Sequence, residues 1–324
     1  MKEISYAGAI CEAIDEEMEK DDNIIIIGED VGFIGGNFKT TVGLLEKYGD
    51  LRVKDSPISE AGIVGMGVGM ALTGLRPIVE LMFSDFILVA ADQVINQAAK
   101  IRYMSGGQAT VPLTIRCPIG AGRSSAAQHS QSMQALVAHF PGLKVVVPSN
   151  AQEAKGLLKT AIRDSDPVIF FEHKMEYNKK YMIDENVEPI PFGKARIART
   201  GKDITIVATS SMVMKSEDVA ERLAEEGIDC EVIDLRTVVP FDRDAVIESV
   251  KKTGKLIVVD EAHERCGVGA EVAADIADDI FYYLDAPCGR VCTPNVPLPF
   301  SPALEFPLIP SEEKIYEKVK SYFR

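Results

Sequence analysis

Two short segments carry residue types able to handle protons. The first is Asp55-Ser56-Pro57-Ile58-Ser59-Glu60-Ala61-Gly62. Pro57 pushes Ser56 out of the α region, so the chain should enter extended. Ser59 is a natural N-cap, which places Glu60 in the first turn of a helix running on through Ile63 to Leu72. That helix is almost wholly apolar and carries Gly62, Gly65, Gly67 and Gly69, a composition that predicts burial against close neighbours. A carboxylate at the mouth of a buried helix meets two opposing effects: burial penalises its charged form, and the positive end of the helix favours it. The balance can make such a group a proton carrier near neutral pH. The same local pattern also suits an acid that merely starts a helix at the surface.

The second segment follows an apolar run expected as a strand, Val111 to Ile115. Arg116-Cys117-Pro118-Ile119-Gly120-Ala121-Gly122 reads as the start of a loop that continues as Ser124-Ser125-Ala126-Ala127-Gln128-His129-Ser130-Gln131. Glycines and small hydroxyl residues after a strand allow close approach to a ligand. Gln128 to Gln131 set four polar side chains where the next helix is expected to begin. Histidine exchanges protons readily at neutral pH, and the chain has four: His129, His139, His173 and His263. His139 and His173 lack a comparable polar setting and read as structural. His263, in Asp260-Glu261-Ala262-His263-Glu264-Arg265, reads as a residue of a solvated, charged loop.

The elements that must position these groups alternate along the chain. Strands are expected at Ile24 to Ile27, Pro77 to Met82, Val111 to Ile115, Lys144 to Val147 and Val168 to Phe171, with helices such as Asp85 to Arg102 and Ala151 to Arg163 between them. Such alternation predicts an α/β fold with a doubly wound parallel sheet. A charged stretch with Pro189, Pro191 and Gly193 breaks the pattern. It restarts with strands at Ile204 to Ala208, Cys230 to Ile233, Leu256 to Val259 and Gly289 to Thr293. The expected division is a domain over 1–176, a connection over 177–202 and a smaller α/β domain over 203–324.

Global numbers exclude several functions. At 324 residues the chain is long enough for two cores, and its net charge of −14 opposes a nucleic-acid-binding surface, which needs a basic patch. No apolar run approaches the roughly 20 residues of a membrane helix. Six cysteines without CxxC spacing suit a reducing compartment, expected to be the cytoplasm. Nothing at the start reads as a signal or transit peptide. Gly65-Met66-Gly67-Val68-Gly69 fails the dinucleotide-loop pattern and reads as helix packing.

These segments, with Gly74-Leu75-Arg76-Pro77, Asp92 to Lys100, Tyr103 to Gly107, Pro141 to Val145, Ile233 to Thr237 and Asp260 to His263, resemble a known family over essentially the whole chain. It is the beta subunit of the thiamine-diphosphate-dependent 2-oxo acid dehydrogenase decarboxylase component, the group of pyruvate, branched-chain 2-oxo acid and acetoin dehydrogenases. The resemblance implies a transketolase-like pyrimidine-binding domain followed by a transketolase C-terminal domain. It implies that Glu60 contacts the cofactor pyrimidine, that Met82 and Phe86 pack against that ring, and that His129 serves the substrate. A helix-start position would favour a neutral imidazole there. Leu113, Ala161, Ile162, Asp164 and Asp166 match a stretch that binds a monovalent cation, K+, in relatives.

The family's Gly-Asp-Gly…Asn pattern for Mg2+ and diphosphate is missing from the chain. By resemblance, both belong to a separate alpha subunit, and this chain supplies half a site in an α2β2 heterotetramer. A lipoyl acyltransferase core would dock on the C-terminal domain, with Asp285 and Phe323-Arg324 as candidates. Ile63-Val64, Ser124-Ser125 and Lys174-Met175-Glu176 resemble acetoin-type chains more than pyruvate-type ones. A self-sufficient transketolase-type enzyme and a non-catalytic scaffold are the alternatives; the missing metal pattern opposes the first, and the presence of both Glu60 and His129 opposes the second.

Overall fold

The computed structural model describes residues 1–323. Two compact units make up the chain: Met1–Ile119 with Leu136–Phe192, and Gly120–Ala135 with the chain from Gly193 onward. Residues 177–202 carry two strands, one in each unit.

The first unit contains β1 (Lys2–Ser5), β2 (Ile24–Gly28), β3 (Val53–Asp55), β4 (Arg76–Glu80), β5 (Thr114–Ile119), β6 (Lys144–Val146), β7 (Val168–His173) and β8 (Lys180–Ile183). β1 and β8 form an antiparallel pair. The others lie in the order β6-β7-β5-β4-β2-β3, and every pairing among them is parallel. The β-branched run Ile24–Ile27 suits this setting, because a parallel strand is covered on both faces. Helix Tyr6–Met18 packs on helix Ala151–Arg163 through a core that includes Ile10, Ile14, Leu157 and Leu158. Lys155 is fully buried there, and its ammonium lies 2.7 Å from Glu12 and 2.6 Å from Glu16.

The structure corrects two expectations in this unit. The strand expected over Val111 to Ile115 runs instead over Thr114–Ile119 and includes Pro118. A proline normally argues against a central strand, since it cannot donate to the ladder. Here the Arg116 carbonyl accepts from Leu81 N–H on the β4 side. Pro118, two residues on, therefore faces the same side beyond the end of β4, where no donor is required. The single helix expected from Asp85 to Arg102 is broken into a 3-10 turn (Ser84–Leu88), a π-helix (Asp92–Ala98) and a short α-helix (Ile101–Met104). The Asp92 carboxylate accepts from Asn96 at 2.8 Å and Gln97 at 3.4 Å, and Ala99 N–H bonds to Val94 O. These bonds reach four and five residues along, as the wider π-turn allows.

The second unit contains β9 (Arg196–Arg199), β10 (Ile204–Ala208), β11 (Cys230–Asp234), β12 (Thr237–Val239), β13 (Leu256–His263) and β14 (Gly289–Thr293). Its five-stranded sheet has the order β14-β13-β10-β11-β9, antiparallel only at β9. Helices Met212–Ala224 and Glu312–Lys320 help close its core through Val219, Leu223, Ile315 and Val319. Asp260, Glu261 and Ala262, expected in a solvated loop, lie buried on β13, which runs four residues further than its apolar sequence suggested.

Candidate active site

In the first unit, β2 pairs with β3 on one side and β4 on the other. The chain therefore crosses over β2 between β3 and β4. A parallel sheet opens a ligand crevice at the carboxyl ends of its strands where strand order reverses in this way. Glu29 follows β2 directly, Glu60 begins helix Glu60–Leu72 after β3, and Met82 and Phe86 follow β4.

Glu60 is 7% exposed, while Met82 and Phe86 are half-buried. Phe86 meets Phe83 edge-on at 5.8 Å, and the Lys174 ammonium lies 5.1 Å from the Phe83 ring centre. A buried acid, and a sulfur and aromatic pair following the next strand at the same sheet edge, are the kinds of group that can exchange one proton with a flat heterocycle and pack on its face. Ser59 occupies the N-cap position without capping: its hydroxyl donates to Pro57 O at 3.2 Å.

Glu29 was not singled out from the sequence. Burial pushes its carboxyl above the ordinary glutamate range, and the negative charges of Glu60 and Asp30 push the same way. Its only sequence signal is an acid directly after a buried strand, at the sheet edge where ligands bind.

A second unanticipated feature lies beneath this edge. Arg116, 1% exposed, donates from Nε and Nη2 to Glu172 at 2.7 and 2.9 Å and from Nη1 to Glu80 at 2.7 Å. Thr40 adds a 3.1 Å bond to Glu80, and Tyr177 a 2.7 Å bond to Glu172. Burial still pushes Glu80 above its usual range, since one guanidinium serves two carboxylates. Gly36, at φ +78, sits so close that a side chain there would meet Glu80 Oε1 at 3.2 Å. Glu80 thus ties down the loop after β2 and stands two residues before Met82.

The glycine-rich helix is buried on one side only. A Cβ at Gly67 would meet Val79 at 2.7 Å, and one at Gly65 would meet Gln93 at 3.3 Å, so these two glycines serve packing. Gly69 faces open space, and Met66 and Leu72 are 52% and 44% exposed. Leu88, Val89, Tyr103 and Met104, before and after the π-helix that packs on this helix, are exposed as well.

His129 belongs to the second unit, whereas Glu60 belongs to the first. It lies half-buried in a turn, its N–H reaching Ala126 O at 3.4 Å. The next helix begins only at Gln134, so the helix-start argument for His129 does not hold. At the far end of its segment, Gln134 Nε2 donates to Asp260 Oδ1 at 2.9 Å, which also accepts from Thr209 at 2.8 Å. Burial pushes Asp260 above the ordinary aspartate range. The remaining histidines are accounted for locally. His173 ends β7 and accepts from Met175 N–H, exposed His139 meets Phe140 edge-on, and His263 Nε2 lies 3.0 Å from Val296 O.

The stretch matched to a monovalent-cation site is already rich in cations. Arg76 Nη1 donates to both Ile162 O and Asp164 O at 3.0 Å. Lys144 reaches both Asp164 oxygens at 2.7 Å, and Arg102 pairs with Asp166. Ala161 O accepts from Asp164 N–H and Leu113 O from Val168 N–H. Each carbonyl keeps a second lone pair, which is what a weakly held monovalent ion would use. The carboxylate charge is spent on Lys144 and Arg102.

The comparisons with known proteins bear on the fold and the family. The family description "Transketolase, pyrimidine binding domain" matches residues 2–180, and "Transketolase, C-terminal domain" matches 193–315. The beta subunit of acetoin:2,6-dichlorophenolindophenol oxidoreductase from Bacillus subtilis is 49% identical, covering 96% of this chain and 95% of that one. The pyruvate dehydrogenase E1 component subunit beta of Rickettsia felis is 48% identical over 98% of both chains. The Bacillus subtilis 2-oxoisovalerate dehydrogenase subunit beta is 44% identical over 97% of both. A solved split gene transketolase, an inactive beta4 tetramer, shares the fold at a TM-score of 0.81 and 22% identity over 98% of each chain. No helix among the described residues is long and apolar enough to cross a membrane. With both domains matched and three named relatives aligned end to end, the chain belongs to the transketolase-like family of beta subunits of pyruvate, acetoin and 2-oxoisovalerate dehydrogenases.

Proposed function

We propose that this chain is the beta half of a heteromeric, thiamine-diphosphate-dependent dehydrogenase acting on a 2-oxo acid or acetoin, with an alpha subunit as obligatory partner. The observation that carries the reading is buried Glu60 at the reversal of strand order, with half-buried Met82 and Phe86 following β4 at the same edge of the sheet. When bound, thiamine diphosphate supplies a thiazolium carbon nucleophile. In this reading Glu60 holds a proton at the pyrimidine edge, Met82 and Phe86 orient the ring and exclude water, and His129 contacts the substrate. Mg2+ and the diphosphate fall to the alpha subunit, because the chain lacks the Gly-Asp-Gly…Asn pattern. The α2β2 arrangement is supported by the exposed face of helix Glu60–Leu72, where Gly69 faces open space and Met66 and Leu72 are half-exposed. Burying such a surface is worth about 25 cal/mol per Å2 of apolar area.

The acceptor in this reading is a lipoyl group on an acyltransferase core. Exposed Phe281, Tyr282 and Tyr283, close in sequence to Asp278, Asp279 and exposed Asp285, form the docking candidate. Phe323 lies under the Lys255 ammonium at 5.1 Å, and Arg324 lies outside the described residues. Six unpaired cysteines support a reducing compartment, the cytoplasm.

The test is reconstitution. The chain is purified alone and with an alpha-type chain, then supplied with thiamine diphosphate, Mg2+ and an artificial electron acceptor. Pyruvate, branched-chain 2-oxo acids and acetoin are each offered. Turnover only from the two chains together is expected, and the substrate used names the enzyme. Turnover by this chain alone would refute the half-site reading, and silence with every substrate would favour a scaffold.

The K+ assignment has its own check. Thermal melting in KCl should exceed that in choline chloride at equal ionic strength. An ion at a hundredfold excess over its Kd stabilises by about 2.7 kcal/mol. Identical melting in both salts would remove the ion from the reading.

A further inference from the structure

The segment Gly120–Ala135 holds its shape at a cost. Gly120 and Gly122 have φ of 96 and 93°, as glycine allows, but Ser124 and Ala126 also lie in the left-handed region at 54 and 61°. Residues with a Cβ persist there only where their surroundings over-determine them. Two buried carboxylates, Glu305 and Glu261, bond the start of this segment. Glu305 closes the short helix Pro302–Glu305 and is 0% exposed. Its Oε1 accepts from Gly122 N–H at 2.9 Å, and its Oε2 accepts from Ser124 N–H at 2.9 Å and Ser124 Oγ at 3.2 Å. A buried acid thus gives its acceptors to three donors of a single turn about 180 residues away in sequence. Beside it, Glu261 Oε1 accepts from Ala121 N–H at 2.6 Å, and the Ala121 side chain packs with Leu298 and Ile309.

We propose that Glu305 is a positioning residue for His129: it clamps one end of the His129 segment as Asp260 clamps the other through Gln134. This rests on the reading that His129 serves the substrate. Charge-assisted bonds to backbone N–H groups are among the stronger ones a carboxylate makes, and here they hold a turn that local preference disfavours. A Glu305→Gln substitution keeps the shape but turns one acceptor into a donor. In either amide orientation an NH2 group then faces a backbone N–H.

The experiment uses the full chain assembled with its partner. In Glu305→Gln, amide hydrogen exchange in peptides spanning 120–131 should rise about tenfold or more. Turnover should fall roughly tenfold or more while thiamine diphosphate affinity stays within about twofold, because His129 is read as serving the substrate and not the cofactor. In a His129→Ala background the same substitution should add less than about a twofold loss, as coupled residues do. Ser124→Ala, which removes only the hydroxyl bond, should move exchange in the same direction by less, and it keeps the question open to test if Glu305→Gln does not fold. Unchanged exchange in both variants, or a full additive loss on top of His129→Ala, would overturn the proposal. Full turnover by His129→Ala alone would instead overturn the reading of His129, and with it this role of Glu305, even where the exchange result holds.

Discussion

Glu60→Gln is expected to lower turnover of the assembled enzyme by about 10²- to 10⁴-fold, the range for losing a positioned proton-transfer group. The amide matches the carboxylate in shape but cannot exchange a proton. The substitution should not cost stability, and the reason lies in Glu29. That carboxyl is held above the ordinary glutamate range by burial and then by the Glu60 charge, so the two acids oppose each other in the folded chain. Removing one charge relieves the other, and the melting temperature of Glu60→Gln should equal or exceed the parent's. A group raised on folding is costly in its charged form. That cost is full above the raised value and gone below the ordinary one, so acidification through this window should favour the folded chain locally. The gain on acidification should be smaller in Glu60→Gln than in the parent. Melting curves as a function of pH check this, and a variant that keeps full turnover would refute the role of Glu60. Groups that raise activity while straining the fold are a familiar property of catalytic sites.

Arg116→Leu carries the largest expected stability loss. It would leave Glu80 and Glu172 facing each other, both nearly inaccessible to water, with Thr40 and Tyr177 as the remaining donors among the described residues. Breaking a buried ion pair by removing one partner costs about 3–5 kcal/mol. Denaturant unfolding of the single variant should show a loss of that size, together with weakened thiamine diphosphate binding, because Glu80 anchors both the loop at Thr40 and the approach to Met82. The companion variant Arg116→Leu with Glu80→Leu and Glu172→Met should recover most of the stability, since replacing a whole buried ionic cluster with apolar groups is often neutral or better. A single-variant loss below about 1 kcal/mol would show that the trio is exposed to water in solution.

The sequence by itself determined the alternation of elements and hence the α/β class. Four consecutive isoleucines at 24–27 and the amphipathic pattern of Ala151–Arg163 left little choice of element. The motif around Glu60 was legible because its signals are local: Pro57 restricts Ser56, and an acid directly precedes an apolar helix. The tertiary structure decided what non-local contacts control. Pro118 is tolerated in a central strand only because β4 has ended beside it, and Arg116 lies inside that strand only because Glu80 and Glu172 come from its two neighbours. Glu29 acquires its perturbed titration from burial and from Glu60, more than thirty residues away. The apolar helix read as fully buried leaves one face open, because composition reports how much surface must be covered and not which chain covers it. His129 shows the division most plainly. Its residue type and polar neighbours marked it in the sequence, but its segment is shaped by Glu261 and Glu305, over a hundred residues downstream, and no local pattern encodes a bond across that distance.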